Sequence, residues 1–144
     1  MDLLKVADVP PTTVSPDATV AQAVDAMVRN RVGAVAIVSE GILEGIFSER
    51  DIMRRIIQPK LDPGATKMSE VMTTEVAVIP RDTNALDALS LMIERHIRHL
   101  PITDEDGRIL GMLSIRNLLQ RRLEDLSHEL EGMETYLTAD GAGG

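Results

Sequence analysis

Two short stretches carry the residues best able to do chemistry: Gly45-Ile46-Phe47-Ser48-Glu49-Arg50-Asp51 and Gly111-Met112-Leu113-Ser114-Ile115-Arg116-Asn117. A serine three residues ahead of a carboxylate, at the start of a helix, makes a capping box, in which each side chain satisfies the other's backbone amide. The same place attracts anions, because the first amides of a helix lack partners and the helix dipole is positive there. A carboxylate one turn inside can also hold a ribose diol through charge-assisted hydrogen bonds. A third stretch, Glu94-Arg95-His96-Ile97-Arg98-His99, is the one place where Arg and His concentrate, just ahead of an apolar run. It fits a basic pocket for phosphate and equally a solvated helix end.

Catalytic patterns are missing. The sequence contains no nucleophile elbow, P-loop, dinucleotide glycine fingerprint or HExxH motif. It has no cysteine, hence no disulfide framework, thiolate nucleophile or cysteine metal site. Of the three histidines, His96, His99 and His128, the first two lie three apart, but His99 opens a strand, so they do not share a helix face as zinc ligands would. The chain therefore reads as a binding protein rather than an enzyme, with no metal and no resident cofactor. A net charge of −8 and a pI near 4.8 argue against broad binding to nucleic acid or anionic membranes. No run of about 18 apolar residues is present, and Met1 to Pro10 lacks the pattern of a secretion signal, so a cytoplasmic protein is expected.

The elements that must position these residues occur twice. Val14 to Ile56 recurs, with substitutions, from Val78 to Leu123: Pro16 matches Pro80, Ala23-Val24 matches Ala88-Leu89, and Gly45-x-x-Ser48 matches Gly111-x-x-Ser114. A duplication in 144 residues that are 44% hydrophobic predicts two halves packed about a pseudo-twofold axis, because neither half alone buries its apolar face. A cleft between the halves is where a ligand is expected. Thr19 and Thr83 are placed to cap the first helix of each half. Apolar residues follow at helical spacing, Val20, Ala23, Val24, Met27 and Val28 in one half and Ala85, Ala88, Leu89, Met92 and Ile93 in the other. Ala34 to Val38 and Leu100 to Thr103 read as buried strands, joined by turns to Ile42 to Phe47 and Arg108 to Leu113. Ser48 and Ser114 then open a second helix, giving β-α-β-β-α twice, an α/β (α+β) fold.

The predicted boundaries are 8–58 for the first repeat, 59–70 for a Pro/Gly-containing linker, and 71–123 for the second repeat, with one helical turn between Lys67 and Met72. The segment 124–138 extends the last helix. Leu119, Leu123, Leu126, Leu130, Met133 and Leu137 are spaced 4-3-4-3-4, a heptad seam that packs on a second subunit or on its own domain. The final 139–144 (ADGAGG) has nothing to bury and reads as a disordered tail.

At these residues the chain resembles a stand-alone tandem pair of CBS (cystathionine β-synthase) domains, a Bateman module, over roughly residues 8 to 123. The resemblance rests on Gly45 to Asp51, similar to the family's G-h-x-[ST]-x-x-D, and on Ile97-Arg98-His99-Leu100-Pro101-Ile102, similar to its strand entry. Val71-Met72-Thr73 and the repeated element order add to it. It implies that AMP, ADP or ATP binds in clefts between the copies. One cleft would take Ile46, Ser48, Arg50 and Asp51 with Val76, Ala77, His96, Arg98, His99 and Pro101. The other would take Met112, Ser114, Arg116 and Asn117 with Thr12, Thr13, Arg31, Gly33, Ala34 and Ala36.

The two clefts differ. The first sets a carboxylate opposite Arg98 and His99; the second sets Asn117 opposite the uncharged Gly33 and Ala34, and neutral hydrogen bonds are worth roughly half of charge-assisted ones. One competent site per chain is expected. The resemblance implies a homodimeric regulatory module that senses adenine nucleotide and modulates an unidentified partner protein. The alternative is a ligand-independent dimerisation or interaction protein with a vestigial cleft, worked by the heptad helix.

Overall fold

Thr19 starts the first helix as its position predicts, in a capping box with Gln22: Thr19 Oγ1 accepts from Gln22 N at 3.2 Å and Gln22 Oε1 from Thr19 N at 2.9 Å. In the computed structural model, which describes residues 2–143 with side chains through Met133, this helix α1 spans Val20–Asn30. It follows a two-residue strand β1 (Thr13–Val14) and precedes the hairpin β2 (Ala34–Ser39) and β3 (Ile42–Ser48). β1 lies parallel to β2, and β2 antiparallel to β3. The turn uses Glu40 and Gly41, both with positive φ. Beyond Ser48 the expected single helix is instead one α turn, α2 (Glu49–Asp51), continued by a π-helical segment, Ile52–Ile57.

A short α3 (Met68–Val71) leads into the second copy, with α4 (Ala85–Arg95), β4 (His99–Thr103), β5 (Ile109–Ser114) and α5 (Ile115–Gly143). Two expectations are corrected here. Asn84, not Thr83, caps α4, its side chain accepting from Leu86 N at 2.8 Å, while the Thr83 hydroxyl donates to the Pro80 carbonyl within the preceding turn. The leading strand of the second copy is reduced to one parallel bridge, Ile79 to Ile102, so this sheet has two strands and that of the first copy three.

The two cores exchange their lead-in segments. Phe47, Ile37, Val35 and Met27 of the first copy are sealed by Met68 and Val71, from the segment that leads into the second copy. Leu100, Ile102, Met92 and Leu113 of the second copy are sealed by Leu3, wholly buried at the start of the chain. The backbone repeats the pattern, since Ile46 bridges to Thr73 and Met112 to Asp8. Gly45 and Gly111 make these crossings possible. A Cβ on Gly45 would lie 2.9 Å from the Thr73 carbonyl oxygen and 2.7 Å from Met72 Sδ, and one on Gly111 would lie 2.9 Å from Leu4 Cδ2. The hairpin turns also meet, Leu43 N donating to Gly107 O at 3.1 Å and Ile109 N to Gly41 O at 3.2 Å. Two halves that each complete the other's core form one folding unit, as the repeat predicts.

Along α5, Leu119, Leu123, Leu126, Leu130 and Met133 are all exposed; Leu137 lies beyond the described side chains. Leu119 and Leu123 have exposed counterparts in the first copy, Met53 and Ile57. Leu126, Leu130 and Met133 have none, because there the first copy turns into its linker. The helix runs through Gly143, across most of the stretch 139–144 for which composition predicts no structure.

Candidate functional site

Ser48 and Asp51 form the capping box their spacing predicts. Asp51 Oδ2 accepts from Ser48 N at 2.9 Å and from Ser48 Oγ at 3.2 Å, and Ser48 Oγ accepts in turn from Asp51 N at 3.4 Å. The other carboxylate oxygen, Oδ1, stands 3.7 Å from Arg55 Nε. Capping therefore consumes one oxygen of Asp51 and leaves the second, in a side chain only 17% exposed, with a single long ion pair. The first amides of the helix are largely spoken for, since Glu49 N donates to Gly33 O at 3.0 Å and Asp51 N to Ser48 Oγ. An anion at this site must be held mainly by side chains.

Of the second-copy residues expected here, His96 is tied to this place directly. Arg50 Nη1 donates to the His96 carbonyl at 3.0 Å, tying the start of α2 to the end of α4. His96 sits at that helix end with φ +55°, its own ring exposed, and contributes its carbonyl rather than its imidazole. Arg98 is exposed, and its carbonyl accepts from Ile115 N at 2.9 Å, the counterpart of Gly33 and Glu49 in the first copy.

The His99 ring turns toward the first copy. A Cβ on Gly33 would come within 3.2 Å of His99 Cε1 and 3.0 Å of Glu49 Oε1, so the glycine leaves room for both side chains. Burial pushes the His99 pKa below its ordinary value; Glu49 and Asp8 pull it back up and Arg98 opposes them. The ring is therefore neutral near pH 7, and Arg98 is the stronger of the pair for a phosphate.

The second cleft carries Asp8. Asn117 N donates to Ser114 Oγ at 3.0 Å, the cap equivalent to Ser48, and Asn117 Nδ2 donates to Asp8 Oδ1 at 3.2 Å. Asp8 is held there by paired backbone bonds with Met112, as Thr73 is held by Ile46 in the first cleft. The two clefts thus differ by Asp8 against Thr73 as well as by Asn117 against Asp51.

Several residues assigned to the clefts are less accessible than their place in the sequence implies. Ala34, Ala36, Met112 and Pro101 are buried in the sheets; Ile46, Ser48, Val76, Ala77, Thr12, Ser114 and Asn117 are half-buried. Thr13, Arg31 and Arg116 are exposed. Sequence reasoning missed Asp8, Glu49 and Thr73. Asp8 was detectable, since adding the repeat offset lands it on Thr73 of the Val71-Met72-Thr73 motif. Nothing in the pattern pointed to Glu49. An open depression of about 970 Å³, lined by acidic residues including Asp2, Asp82, Asp104 and Asp106, lies apart from both clefts and includes none of their residues. Among the described residues, no group of three His, Cys, Asp or Glu side chains is placed to hold a metal ion. No described helix is long and apolar enough to cross a membrane.

Comparison with known proteins places this geometry. The family model for the CBS domain matches residues 6–58 and again 68–124. The chain is 35% identical over 127 residues to the mitochondrial CBS domain-containing protein CBSX3 of Arabidopsis thaliana, covering 84% of this chain and 61% of that protein. It is also 35% identical over 115 residues to the CBS domain-containing protein YhcV of Bacillus subtilis, covering 80% and 81%. The crystal structure of the CBS domain of NE2398 superposes with a TM-score of 0.76 at 30% identity, over 84% of this chain and 93% of that one. The CBS domain pair of MJ0100, solved in complex with 5-methylthioadenosine and S-adenosyl-L-methionine, has the same fold, with a TM-score of 0.75 at 21% identity over 83% and 98%.

Proposed function

This chain belongs to the CBS-domain family as a tandem pair of CBS domains, and on that premise we propose that it is a regulatory module, not an enzyme, that binds one adenine nucleotide and passes the change to a partner protein. AMP, ADP or ATP would lie in the cleft between Asp51 and the strand entry of the second copy. The ribose would take Asp51 Oδ1, and the phosphates Arg98. The observation that carries this reading is the state of the Asp51 carboxylate, with one oxygen locked by Ser48 so that the other is fixed in place. An acceptor held by its own helix cap loses little entropy on binding a diol. The adenosine ligands in the MJ0100 complex give the ligand class a precedent within the fold.

A ligand bridging the two copies favours whichever relative arrangement binds it best, and only that differential affinity can drive a switch. The chain would act in the cytoplasm as a homodimer, its partner unidentified. Calorimetric titration with AMP, ADP and ATP tests the reading, with saturable binding of one nucleotide per chain expected. Thermal stability should rise by about 2.7 kcal/mol at a hundred times the dissociation constant. Absence of binding by all three would leave the ligand-independent interaction protein, a reading that the exposed seam on α5 favours.

A further inference from the structure

Both hairpins lose register at the same step, between Ile37 and Val38 in the first copy and between Ile102 and Thr103 in the second, so Val38 and Thr103 correspond. From there the copies diverge. The first turns on Ser39-Glu40-Gly41 and the second on Asp104-Glu105-Asp106-Gly107, and Thr103 puts a hydroxyl where its counterpart has only hydrocarbon. Thr103 is 9% exposed and, unlike the buried Thr66, whose hydroxyl donates to Asp62 O at 2.8 Å, has no side-chain hydrogen bond among the described residues. No fully buried side-chain polar atom among those residues lacks a partner, so the Thr103 hydroxyl is reached from outside, through the depression of about 970 Å³ that Thr103 lines. An open donor in so closed a place calls for a partner from outside the chain.

The rest of the lining decides the chemistry of that partner. Asp82, Glu105 and Asp106 are exposed and in no ion pair among the described residues, whereas Arg81, the one cation lining the depression among them, is taken by Asp2. Beside them lie Val78, 44% exposed, and the half-buried Leu110. Carboxylates around apolar surface repel a nucleotide's phosphates and attract cations carried on hydrocarbon stems. A bare metal ion is a poor fit, since no three such side chains are placed to hold one among the described residues. We propose that this depression docks a segment of the partner protein that carries both basic and aliphatic residues. Its Lys or Arg heads meet Asp82, Glu105 and Asp106, its hydrocarbon covers Val78 and Leu110, and one of its carbonyls takes the Thr103 hydroxyl. The inference rests on the reading that the chain acts through a partner, but not on the nucleotide, because the depression includes no cleft residue.

The probe is a fluorescein-labelled peptide, Lys-Leu-Arg-Lys-Leu-Arg, with Glu-Leu-Gln-Glu-Leu-Gln as its acidic counterpart, followed by anisotropy on the full chain while nucleotide is titrated in parallel. Only the basic peptide should bind saturably, and salt should weaken it. Asp82→Asn/Asp106→Asn should lower its affinity about fivefold, and Thr103→Val, which copies Val38, about threefold. Glu124→Gln/Glu129→Gln removes the same charge from α5 and should change it by less than about twofold. Circular dichroism confirms the fold of each variant. Equal losses in the two double variants would show attraction to net charge alone and overturn the proposal. So would a wild type that does not bind, undiminished binding by Thr103→Val, or peptide affinity that falls as the wild-type chain is concentrated, which would give the depression to a second copy. Any of these results with nucleotide binding intact leaves the cleft reading standing.

Discussion

The side-chain amide of Asn117 donates to the carboxylate of Asp8 at 3.2 Å, linking residues 109 positions apart, whereas Asp51, at the equivalent position of the first copy, has an oxygen whose one ion pair is to Arg55 at 3.7 Å. Asp8 also brings negative charge to the cleft, unfavourable for a nucleotide's phosphates. One nucleotide per chain is therefore expected in titrations. Asn117→Asp alone should destabilise the protein, since it sets two carboxylates within hydrogen-bond distance. Combined with Asp8→Thr, which copies Thr73, it should raise the stoichiometry toward two. Ala34→Arg, the obvious way to add a cation, is unsuitable because Ala34 is only 2% exposed. Wild type binding two equivalents with matched affinity would refute this asymmetry.

Asp51→Ala should weaken adenine-nucleotide binding by tenfold to a hundredfold, from loss of about 1.5–3 kcal/mol for a bond to a charged acceptor. It should also cost about 1 kcal/mol of stability through the lost cap. Asp51→Asn separates the two effects, keeping an oxygen for Ser48 while removing the charge from the cleft. Calorimetry and thermal melts on both variants check this; if Asp51→Asn binds like wild type, the charge has no role in recognition.

Arg98→Ala should reduce affinity in proportion to the number of phosphates, ATP losing most and adenosine least, with added salt narrowing the difference. His99→Ala should have the smaller effect on phosphate near pH 7, because the buried ring is neutral there. Equal losses for adenosine and ATP in the Arg98 variant would contradict its assignment to phosphate.

Acid should destabilise the protein through His99. Its folded-state pKa lies below the ordinary 6.5, so the unfolded chain takes up a proton first. The contribution to stability is full above pH 6.5 and declines as pH falls through that value toward the folded pKa. The carboxylates of Glu49 and Asp8 moderate the decline, and Arg98 steepens it. Melting temperatures measured between pH 7.5 and 5.5 should fall less steeply in His99→Gln than in wild type. Parallel curves would remove His99 as the cause.

Gly45→Ala should destabilise by about 1–3 kcal/mol, the usual cost of overpacking, because the new methyl meets the Thr73 carbonyl at 2.9 Å, which belongs to backbone and cannot swing aside. Gly111→Ala, whose nearest neighbour is the mobile end of the Leu4 side chain, should cost less. Chemical denaturation of the two variants checks the order.

Local rules carried much of this molecule in the sequence. Periodicity placed α1 and α4, short apolar runs and turn residues placed both hairpins, and the repeat announced two equivalent halves; all are short-range or self-similar signals. Ser48 and Asp51 could be read as a cap because their partners lie three residues apart. Neighbouring turn chemistry moved the cap of α4 from Thr83 to Asn84. The sequence could not reveal that Leu3 completes the second core and Met68 the first, that Gly33 makes room for the His99 ring, or that Asp8 holds Asn117. Each of those contacts joins residues distant in the chain, and burial, close approach and pairing at that range exist only once the two copies have packed together.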